Sequence, residues 1–274
     1  MKQVVVDEED VKKLMPAFNT KIGSYFIKPV LKLMALDKVN ALYGRCCAKT
    51  GHEFTELLLK DLNIKYLVTN PAALTKFPDC GYITVSNHPF GALDGIVLIT
   101  MMGSIRPDYK VMVNSVLTYI DAMSPNFIAV QPYSNKKGSK VNMLGIKESM
   151  RHLKDGHPLG FFPAGGVSKI KGNLRIEDNP WAPNILRLIK QMNMPVVPIY
   201  FHGHNSLFFN ILGLISWKLR SLRLPWEVFL KKNTTVRISI GDIISVEEQH
   251  KYESLESLGV FLRDKTYQAA KNVI

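Results

Sequence analysis

Short apolar runs alternate with longer amphipathic segments over most of the 274-residue chain. Runs of apolar and β-branched residues predict buried strands, and apolar residues that repeat every three or four positions predict helices packed on a sheet. Strands are predicted at residues 64–68, 82–85, 109–113, 127–130, 159–162, 196–200 and 234–241, and helices at residues 7–17, 53–60, 96–102, 138–154, 182–191 and 253–272. This alternation predicts an α/β fold with a mainly parallel β-sheet flanked by helices.

The N-terminal part of the chain shows a helical pattern without strands. Apolar residues between Phe18 and Met34 repeat at helical spacing, and Lys21, Lys28 and Lys32 lie off that stripe. Such a basic amphipathic helix lies either in a membrane interface or on the protein core with a solvated basic edge, and Pro29 would bend it. We therefore expect an N-terminal helical segment, residues 1–62, that possibly contacts a membrane, followed by one globular unit, residues 63–274.

A second segment, residues 207–230, combines apolar, aromatic and basic side chains. Its first half is rich in Phe, Leu and Ile, and Trp217 stands beside Lys218 before Arg220 and Arg223. Tryptophan next to Lys and Arg is typical of a membrane interface. The alternative is a buried core helix followed by a basic loop. The occurrence of two such segments on one chain favours the membrane interpretation.

Composition and charge narrow the classes of partner. Apolar residues make up 46% of the chain, which excludes a disordered protein, and 35 Lys and Arg against 23 Asp and Glu give a net charge of +12. The partner surface should therefore be anionic, either nucleic acid or anionic lipid. No nucleic acid is expected, because the aromatic residues are not interleaved with the basic ones as a base-stacking platform requires.

Cysteine use and the chain start bear on the compartment. Cys46, Cys47 and Cys80 have neither disulfide nor metal-ligand spacing, which fits a reducing compartment. The start of the chain is acidic where a signal peptide is basic, and Lys or Arg interrupts each apolar stretch before it reaches about twenty residues. We expect a soluble or peripheral protein.

The polar stretch after the strand at 82–85 carries the strongest candidate chemistry. It contains His88 and Asp94, where open α/β sheets place their ligand sites. A histidine can accept a proton from an alcohol near neutral pH, and a carboxylate on its other ring nitrogen fixes the tautomer. Chance pairing of a His with an Asp is the alternative on spacing alone. Pro89, Gly91 and Gly95 make a continuous helix between the pair unlikely, so the loop must fold back.

Three further stretches lie where they could join this pair: residues 161–168 and 127–133 each end a strand, and residues 195–199 are a short buried strand held between prolines. In the first of them two glycines let backbone N–H groups approach an anion or a developing oxyanion. Each stretch by itself is also compatible with an ordinary turn.

Taken in order, these stretches resemble the four blocks of the glycerolipid (lysophospholipid) acyltransferase family, over roughly residues 64–241. His88 and Asp94 match the first block, residues 127–131 the second, residues 162–168 the third and residues 194–199 the fourth. The resemblance implies the glycerol-3-phosphate acyltransferase-like fold, with residues 63–274 as the acyltransferase domain. It also implies a peripheral enzyme on the cytoplasmic face of the cell membrane.

The resemblance implies direct acyl transfer to a lipid acceptor from acyl carrier protein (acyl-ACP) or acyl-CoA, with no other cofactor and no metal. His88 would be the general base and Asp94 its orienter. From the residues themselves, we expect Ser86 to face away, because it stands two residues from His88 on an extended strand, and we expect His202 and His204 to be structural, because the sequence offers no third metal ligand beside them. N–H groups near Gly165 and Gly166 would hold the oxyanion. The implied substrate-binding residues are Asn87, Phe90, Gly91, Gln131, Phe162, Pro163, Ala164, Gly165, Gly166, Val167 and Ser168.

Departures from the family pattern bear on the acceptor. Five residues separate His88 from Asp94, where the family usually has four. The third block has Ala164, Gly166 and Val167 where Glu, Thr and Arg are common, and Gln131 stands where the second block often has Arg. Losing both cations disfavours a phosphate.

Residues 87–95 and 162–168, with residues 205–209 and 222–225 downstream, resemble the branch that acylates amino-acid lipids, such as an N-(3-hydroxyacyl)glycine or an ornithine lipid. Lys136, Lys137, Lys169, Lys171 or Arg175 could meet the single carboxylate of such an acceptor, or could simply be solvated. The alternatives are a 1-acylglycerol-3-phosphate acyltransferase and a non-catalytic lipid-binding protein of the membrane.

Overall fold

The computed structural model describes residues 4–14, 19–130, 140–172 and 174–272. Its strands are β1 (Lys65–Val68), β2 (Ile83–Ser86), β3 (Lys110–Asn114), β4 (Phe127–Val130), β5 (Leu159–Phe161), β6 (Lys169–Ile170), β7 (Ile176–Glu177), β8 (Val196–His202) and β9 (Thr235–Ile240). Its α-helices are α1 (Glu8–Leu14), α2 (Lys21–Leu33), α3 (Leu36–Cys46), α4 (Gly51–Asp61), α5 (Ala92–Gly103), α6 (Lys140–Lys154), α7 (Pro183–Met192), α8 (Leu207–Ile215), α9 (Trp217–Leu230), α10 (Val246–His250) and α11 (Leu255–Gln268).

Seven strands form one sheet in the order β1-β9-β8-β2-β5-β3-β4, in which only the β8–β9 pair is antiparallel. β6 and β7 form a separate antiparallel hairpin. The predicted α/β fold with a mainly parallel sheet and flanking helices is therefore confirmed. Because β8, β2 and β5 are adjacent and parallel, their carboxyl ends meet at one edge.

Helices cover both faces of the sheet. On one face α4 and α5 pack over the strands, and Phe54, Leu98 and Ile199 share one apolar cluster. On the other face α7 and α11 pack, and Ile83 and Ile189 belong to a second cluster. A strand such as β2, with all its residues buried, therefore needs the continuous apolar run that identified it in the sequence.

The N-terminal helices join this core. Tyr43 on α3 packs edge-on against Phe54 on α4, with ring centroids 5.6 Å apart. α2 continues through Pro29, and it exposes Tyr25 and Phe26 while burying Ile27. The apolar stripe predicted there does not pack on the core at Tyr25 and Phe26. The division of the chain between residues 62 and 63 stays a prediction.

The segment of residues 207–230 is a pair of helices that meet at Ser216. The alternative of a buried core helix followed by a basic loop is wrong, because the basic part is itself helical and α8 exposes much of its apolar surface. Over the ranges that the structure describes, no helix combines the length and the apolar character needed to cross a bilayer.

A polar network ties the loops at the edge of the sheet opposite the carboxyl ends of β2 and β5. The guanidinium of Arg106, before β3, donates two hydrogen bonds to the Asp108 carboxylate at 3.0 and 2.7 Å and one to the carbonyl of Gly156 at 2.8 Å. His157 Nδ1 lies 2.6 Å from Asp108 Oδ2. Partial burial opposes ionisation of Asp108, but these contacts outweigh it and lower its pKa to about 2.

Removing this charge should destabilise the fold in a pH-dependent way. A carboxyl group whose pKa in the folded state lies below its ordinary value of about 3.9 stabilises the protein at pH values above about 3.9. This stabilisation is lost as the pH falls toward the folded pKa of about 2. Asp108→Asn should therefore lower the free energy of unfolding by roughly 1 to 2 kcal/mol at pH 7, with the difference shrinking between pH 4 and pH 2. Urea unfolding across this range measures it.

The matched control is Asp155→Asn, which changes an exposed carboxyl at the end of α6. If the free energy of unfolding of Asp108→Asn stayed below that of the wild type by the same amount from pH 7 to pH 2, the stabilising role of the ionised Asp108 would be contradicted.

Candidate active site

Two of the four predicted stretches lie side by side at the carboxyl edge of the sheet. The stretch with His88 follows β2, and the stretch 162–168 follows β5. The fourth stretch forms the start of β8 and runs alongside β2, with Val196 opposite Ile83 and Ile199 opposite Ser86. β4, which forms the first part of the remaining stretch, lies at the far edge of the sheet with β3 between it and β5. Gln131, Lys136 and Lys137 lie outside the described residues.

The loop between β2 and α5 closes around the carboxylate of Asp94. α5 begins at Ala92, four residues before the predicted helix, so Asp94 stands in its first turn. Its Oδ2 accepts the backbone N–H groups of Phe90 and Gly91, each at 2.9 Å. The side chain is completely buried, and burial raises the pKa of Asp94, while the contact with His88 and the two backbone hydrogen bonds oppose this shift.

The structure brings His88 and Asp94 together. His88 Nδ1 is 3.0 Å from Asp94 Oδ2, although the ring N–H direction is not aligned on that oxygen as in a linear hydrogen bond. The imidazole stacks on the ring of Phe162, with centroids 4.2 Å apart. Its side chain is 18% exposed. One ring nitrogen therefore faces a buried carboxylate, and Nε2 is the nitrogen left for a reactant.

Gly91 allows the fold-back that five intervening residues require. Its backbone has φ +78° and ψ −118°, a conformation that only glycine adopts without strain. A Cβ at this position would also lie 2.7 Å from Leu224 Cδ2 and 3.0 Å from Val167 Cγ2. The extra residue between His88 and Asp94 is thus accommodated by a turn that needs glycine.

The neighbouring predicted residues Asn87 and Phe90 are buried and hold the loop in place. The side-chain amide of Asn87 donates to the carbonyl of Phe201 at 2.9 Å and accepts its N–H at 2.7 Å, which fixes the loop to β8. The carbonyl of Phe90 accepts a hydrogen bond from Asn205 Nδ2 at 3.3 Å. Lys231 Nζ lies 4.8 Å from the centre of the Phe90 ring, and burial lowers its pKa.

The stretch after β5 presents part of its length toward the site. Gly165 is exposed, and Phe162, Gly166 and Val167 are half-buried, whereas Pro163, Ala164 and Ser168 are buried. The N–H of Gly165, at φ +66°, donates to the carbonyl of Phe162 at 3.0 Å. That N–H is therefore engaged within the turn. The exposed and half-buried members are the ones that a reactant could reach.

Sequence reasoning missed Asp178, which joins the two main loops. Its Oδ1 accepts the hydroxyl of Ser168 at 2.5 Å and the backbone N–H of His88 at 3.2 Å, and Ser168 N–H donates to the carbonyl of His88 at 2.9 Å. Asp178 is 2% exposed, and burial raises its pKa against these hydrogen bonds. In the sequence it stands in Glu177-Asp178-Asn179-Pro180, which reads as a solvated turn.

Arg220 on α9 is a second residue whose role the sequence did not reveal. Its Nη2 donates to the carbonyls of Val167, at 3.1 Å, and Ser168, and its guanidinium lies 4.5 Å from the centre of the Phe209 ring. Burial lowers its pKa. The pattern showed Arg220 only as one of several cations. Its side chain in fact fixes the third stretch from the side of α9.

The remaining candidates have ordinary structural surroundings. Ser86 has no exposed surface. His202 Nε2 lies 2.7 Å from Ser239 Oγ, and His204 Nδ1 lies 2.8 Å from the carbonyl of Asn205. Lys171 Nζ donates to Asn179 Oδ1 at 3.0 Å. The partly exposed imidazole beside a buried carboxylate is thus the group best placed to accept a proton from a reactant.

Known proteins match this chain over nearly its whole length. The profile of a family described as acyltransferase matches residues 15–274. The chain is 26% identical over 273 residues to a lyso-glycine lipid O-acyltransferase of Phocaeicola vulgatus, covering 96% of this chain and 95% of the relative. It is 25% identical over 270 residues to a lyso-glycine lipid O-acyltransferase of Bacteroides thetaiotaomicron, covering 94% and 96%.

The turn at Gly91 can be tested by its effect on stability. Gly91→Ala should lower the free energy of unfolding by roughly 1 to 3 kcal/mol, because alanine must adopt a strained backbone conformation and two side chains must shift. Gly95→Ala is the matched control in α5, since a Cβ there meets nothing within 4 Å. It should be neutral or stabilising by up to about 1 kcal/mol. Equal urea midpoints for Gly91→Ala and the wild type would contradict this assignment.

Proposed function

The chain belongs to the acyltransferase family, and on that premise we propose that it transfers a fatty acyl group from a thioester to the hydroxyl group of a monoacylated amino-acid lipid. The preferred acceptor is of the N-(3-hydroxyacyl)glycine type, with an ornithine lipid as the nearest variant. The observation that carries the proposal is the partly exposed His88 imidazole with Nδ1 3.0 Å from the buried Asp94. The names of the two relatives support the acceptor.

The proposed reaction is one direct transfer. The acceptor hydroxyl gives its proton to Nε2 of His88 as its oxygen attacks the thioester carbonyl carbon, and Asp94 stabilises the resulting imidazolium. The tetrahedral intermediate collapses with cleavage of the C–S bond, and the thiol leaves with the proton from His88. We assign the oxyanion contact to the N–H of Gly166, because the N–H of Gly165 is engaged. No acyl-enzyme is proposed.

The acceptor preference follows from the lack of side-chain cations in the third stretch. At the positions where the family commonly has polar or cationic groups this chain has Ala164, Gly166 and Val167. A phosphate, with up to two negative charges, loses more from this change than a single carboxylate does. The family resemblance of the first and third blocks supports the same acceptor class.

The proposed donor is acyl-ACP or acyl-CoA, with no other cofactor and no metal. We propose peripheral association with the cytoplasmic face of the cell membrane, where both thioesters and lipid acceptors are available. The net charge of +12 supports attraction to an anionic lipid surface. Nucleic acid is not among the proposed partners.

Replacing the proposed base should abolish most of the activity without unfolding the protein. His88→Ala should lower kcat/KM by about 10²- to 10⁴-fold, the range that general base catalysis supplies. The assay measures transfer of a labelled acyl group from acyl-ACP or acyl-CoA to N-(3-hydroxyacyl)glycine. His250→Ala, an exposed histidine on α10, is the matched control and should keep wild-type kinetics. Turnover of His88→Ala within tenfold of wild type, with intact secondary structure, would refute the role of His88.

The acceptor class is tested by competition between two monoacyl lipids. The wild type should use N-(3-hydroxyacyl)glycine with kcat/KM at least about tenfold above that for 1-acylglycerol 3-phosphate, because the third stretch has Val167 where the family commonly has an Arg that can hold a phosphate. Mass spectrometry of the diacyl products measures both rates. Preference for the phosphate lipid would identify a lysophospholipid acyltransferase, and lipid binding without transfer to either acceptor would identify a non-catalytic protein.

A further inference from the structure

We propose that α8, the start of α9 and the tip of the β6–β7 hairpin form one docking surface that seats the His88 site on an anionic lipid bilayer. We call it the docking surface and define it by the exposed apolar residues of α8 together with Trp217 and Leu174. The proposal rests on the proposed acyl transfer to a lipid, and it names the part of the protein that meets the bilayer in which that lipid lies.

α8 carries an apolar face with no protein cover in the described chain. The exposed side chains fall on one side of the helix, within about a third of its circumference by their spacing. They are Leu207, Phe208, Ile211, Leu214 and Ile215, with Leu214 68% and Ile215 73% exposed. Phe209 and Asn210 lie on the opposite side and are buried. A contiguous exposed stripe of this kind marks an interaction site rather than ordinary surface.

Leu174 adds an exposed apolar side chain on the hairpin, whose strand β6 contacts α8. Its side chain is 84% exposed, and its backbone has φ +60°, a conformation that Gly or Asn adopts readily and leucine does not. A large apolar side chain is thus kept in water at a strained position, where either replacement would suit the fold better. A function that needs the side chain explains its presence.

The charges around these residues match an anionic bilayer. Three exposed cations lie around these residues: Lys169 and Arg175 flank the hairpin tip, and Lys218 follows Trp217 on α9. Arg220 and Arg223 face the protein instead, Arg220 at the carbonyls of Val167 and Ser168 and Arg223 with Nε 3.5 Å from the Glu227 carboxylate. The acidic residue of α9, Glu227, is buried and accepts hydrogen bonds from Ser206 at 2.8 and 2.9 Å. Apolar side chains among cations can enter the acyl boundary while the cations meet lipid phosphates. A second copy of this chain would instead bring like charges together.

Hydrogen bonds connect the elements that carry the docking surface to both loops of the candidate site. Asn205, two residues before α8, donates to the carbonyl of Phe90 in the His88 loop at 3.3 Å. Arg220 donates to the carbonyls of Val167 and Ser168 in the stretch after β5. A bilayer held by α8 and the hairpin would therefore lie in a fixed relation to His88.

Sedimentation with vesicles of phosphatidylcholine mixed with phosphatidylglycerol tests the surface without donor or acceptor. The double variant Leu214→Asp, Ile215→Asp should weaken vesicle binding at least about tenfold, because it removes two of the most exposed apolar side chains and adds negative charge. Leu174→Asn should weaken binding by a few-fold while the melting temperature stays equal or rises, since asparagine accepts the positive φ. If Leu174→Asn lost vesicle binding and also had a lower melting temperature, the variant would be misfolded and the assignment of Leu174 would be refuted.

Val260→Asp is the matched control, because Val260 is 56% exposed on α11, which packs against α7 and β8. It should bind vesicles as the wild type does, and so should His88→Ala. Wild-type protein that fails to bind these vesicles, or docking variants that bind as well as wild type, would overturn the proposal. Light scattering that shows a wild-type dimer, a monomeric double variant and unchanged vesicle binding would assign the face to a second copy instead.

The two proposals fail separately. Vesicle binding by a protein that shows no acyl transfer refutes the proposed reaction and leaves the docking surface intact. Acyl transfer by a protein whose docking variants bind vesicles normally refutes the docking surface and leaves the reaction intact.

Discussion

The structure of the candidate site depends on one buried carboxyl group, that of Asp94. A carboxylate with no exposed surface is costly unless hydrogen bonds replace its water. Here the N–H groups of Phe90 and Gly91 reach the same oxygen that faces His88 Nδ1. The loop after β2 must therefore turn back on the first turn of α5, and this turn determines where the imidazole lies. The left-handed backbone of Gly91 follows from the same constraint.

Contacts between neighbouring strands make that arrangement stiff. Asn87 bonds the loop to β8 through both of its amide atoms, and Asp178 and Ser168 join it to the stretch after β5. These contacts involve backbone groups or buried side chains, which do not readily exchange their hydrogen bonds for bonds to water. The His88 ring is thereby stacked on Phe162 with one nitrogen left for chemistry. Positioning of this kind is what a general base requires, since proton transfer depends on distances near 3 Å.

The same loops connect the site to the surface of the molecule. Asn205 and Arg220 join the His88 loop and the stretch after β5 to α8 and α9, whose outward faces are apolar and basic. For an enzyme of this family with a lipid acceptor, the chemistry and the contact with lipid would then share one rigid unit. The burial of Ser86 and the partial exposure of His88 agree with a direct transfer.

The sequence by itself determined the periodic elements and the ordered polar stretches, because strand and helix periodicity are local properties. It therefore predicted the parallel sheet, the family, and the candidate pair His88 and Asp94. Only the tertiary structure decided the earlier start of α5, the short β6–β7 hairpin and the parts played by Asp178 and Arg220. Asp178 stands 90 residues from its partner His88, and Arg220 stands 52 from Ser168. An acidic turn residue or a helical arginine has the same local pattern whether it is solvated or bridges two loops, so packing alone distinguishes them.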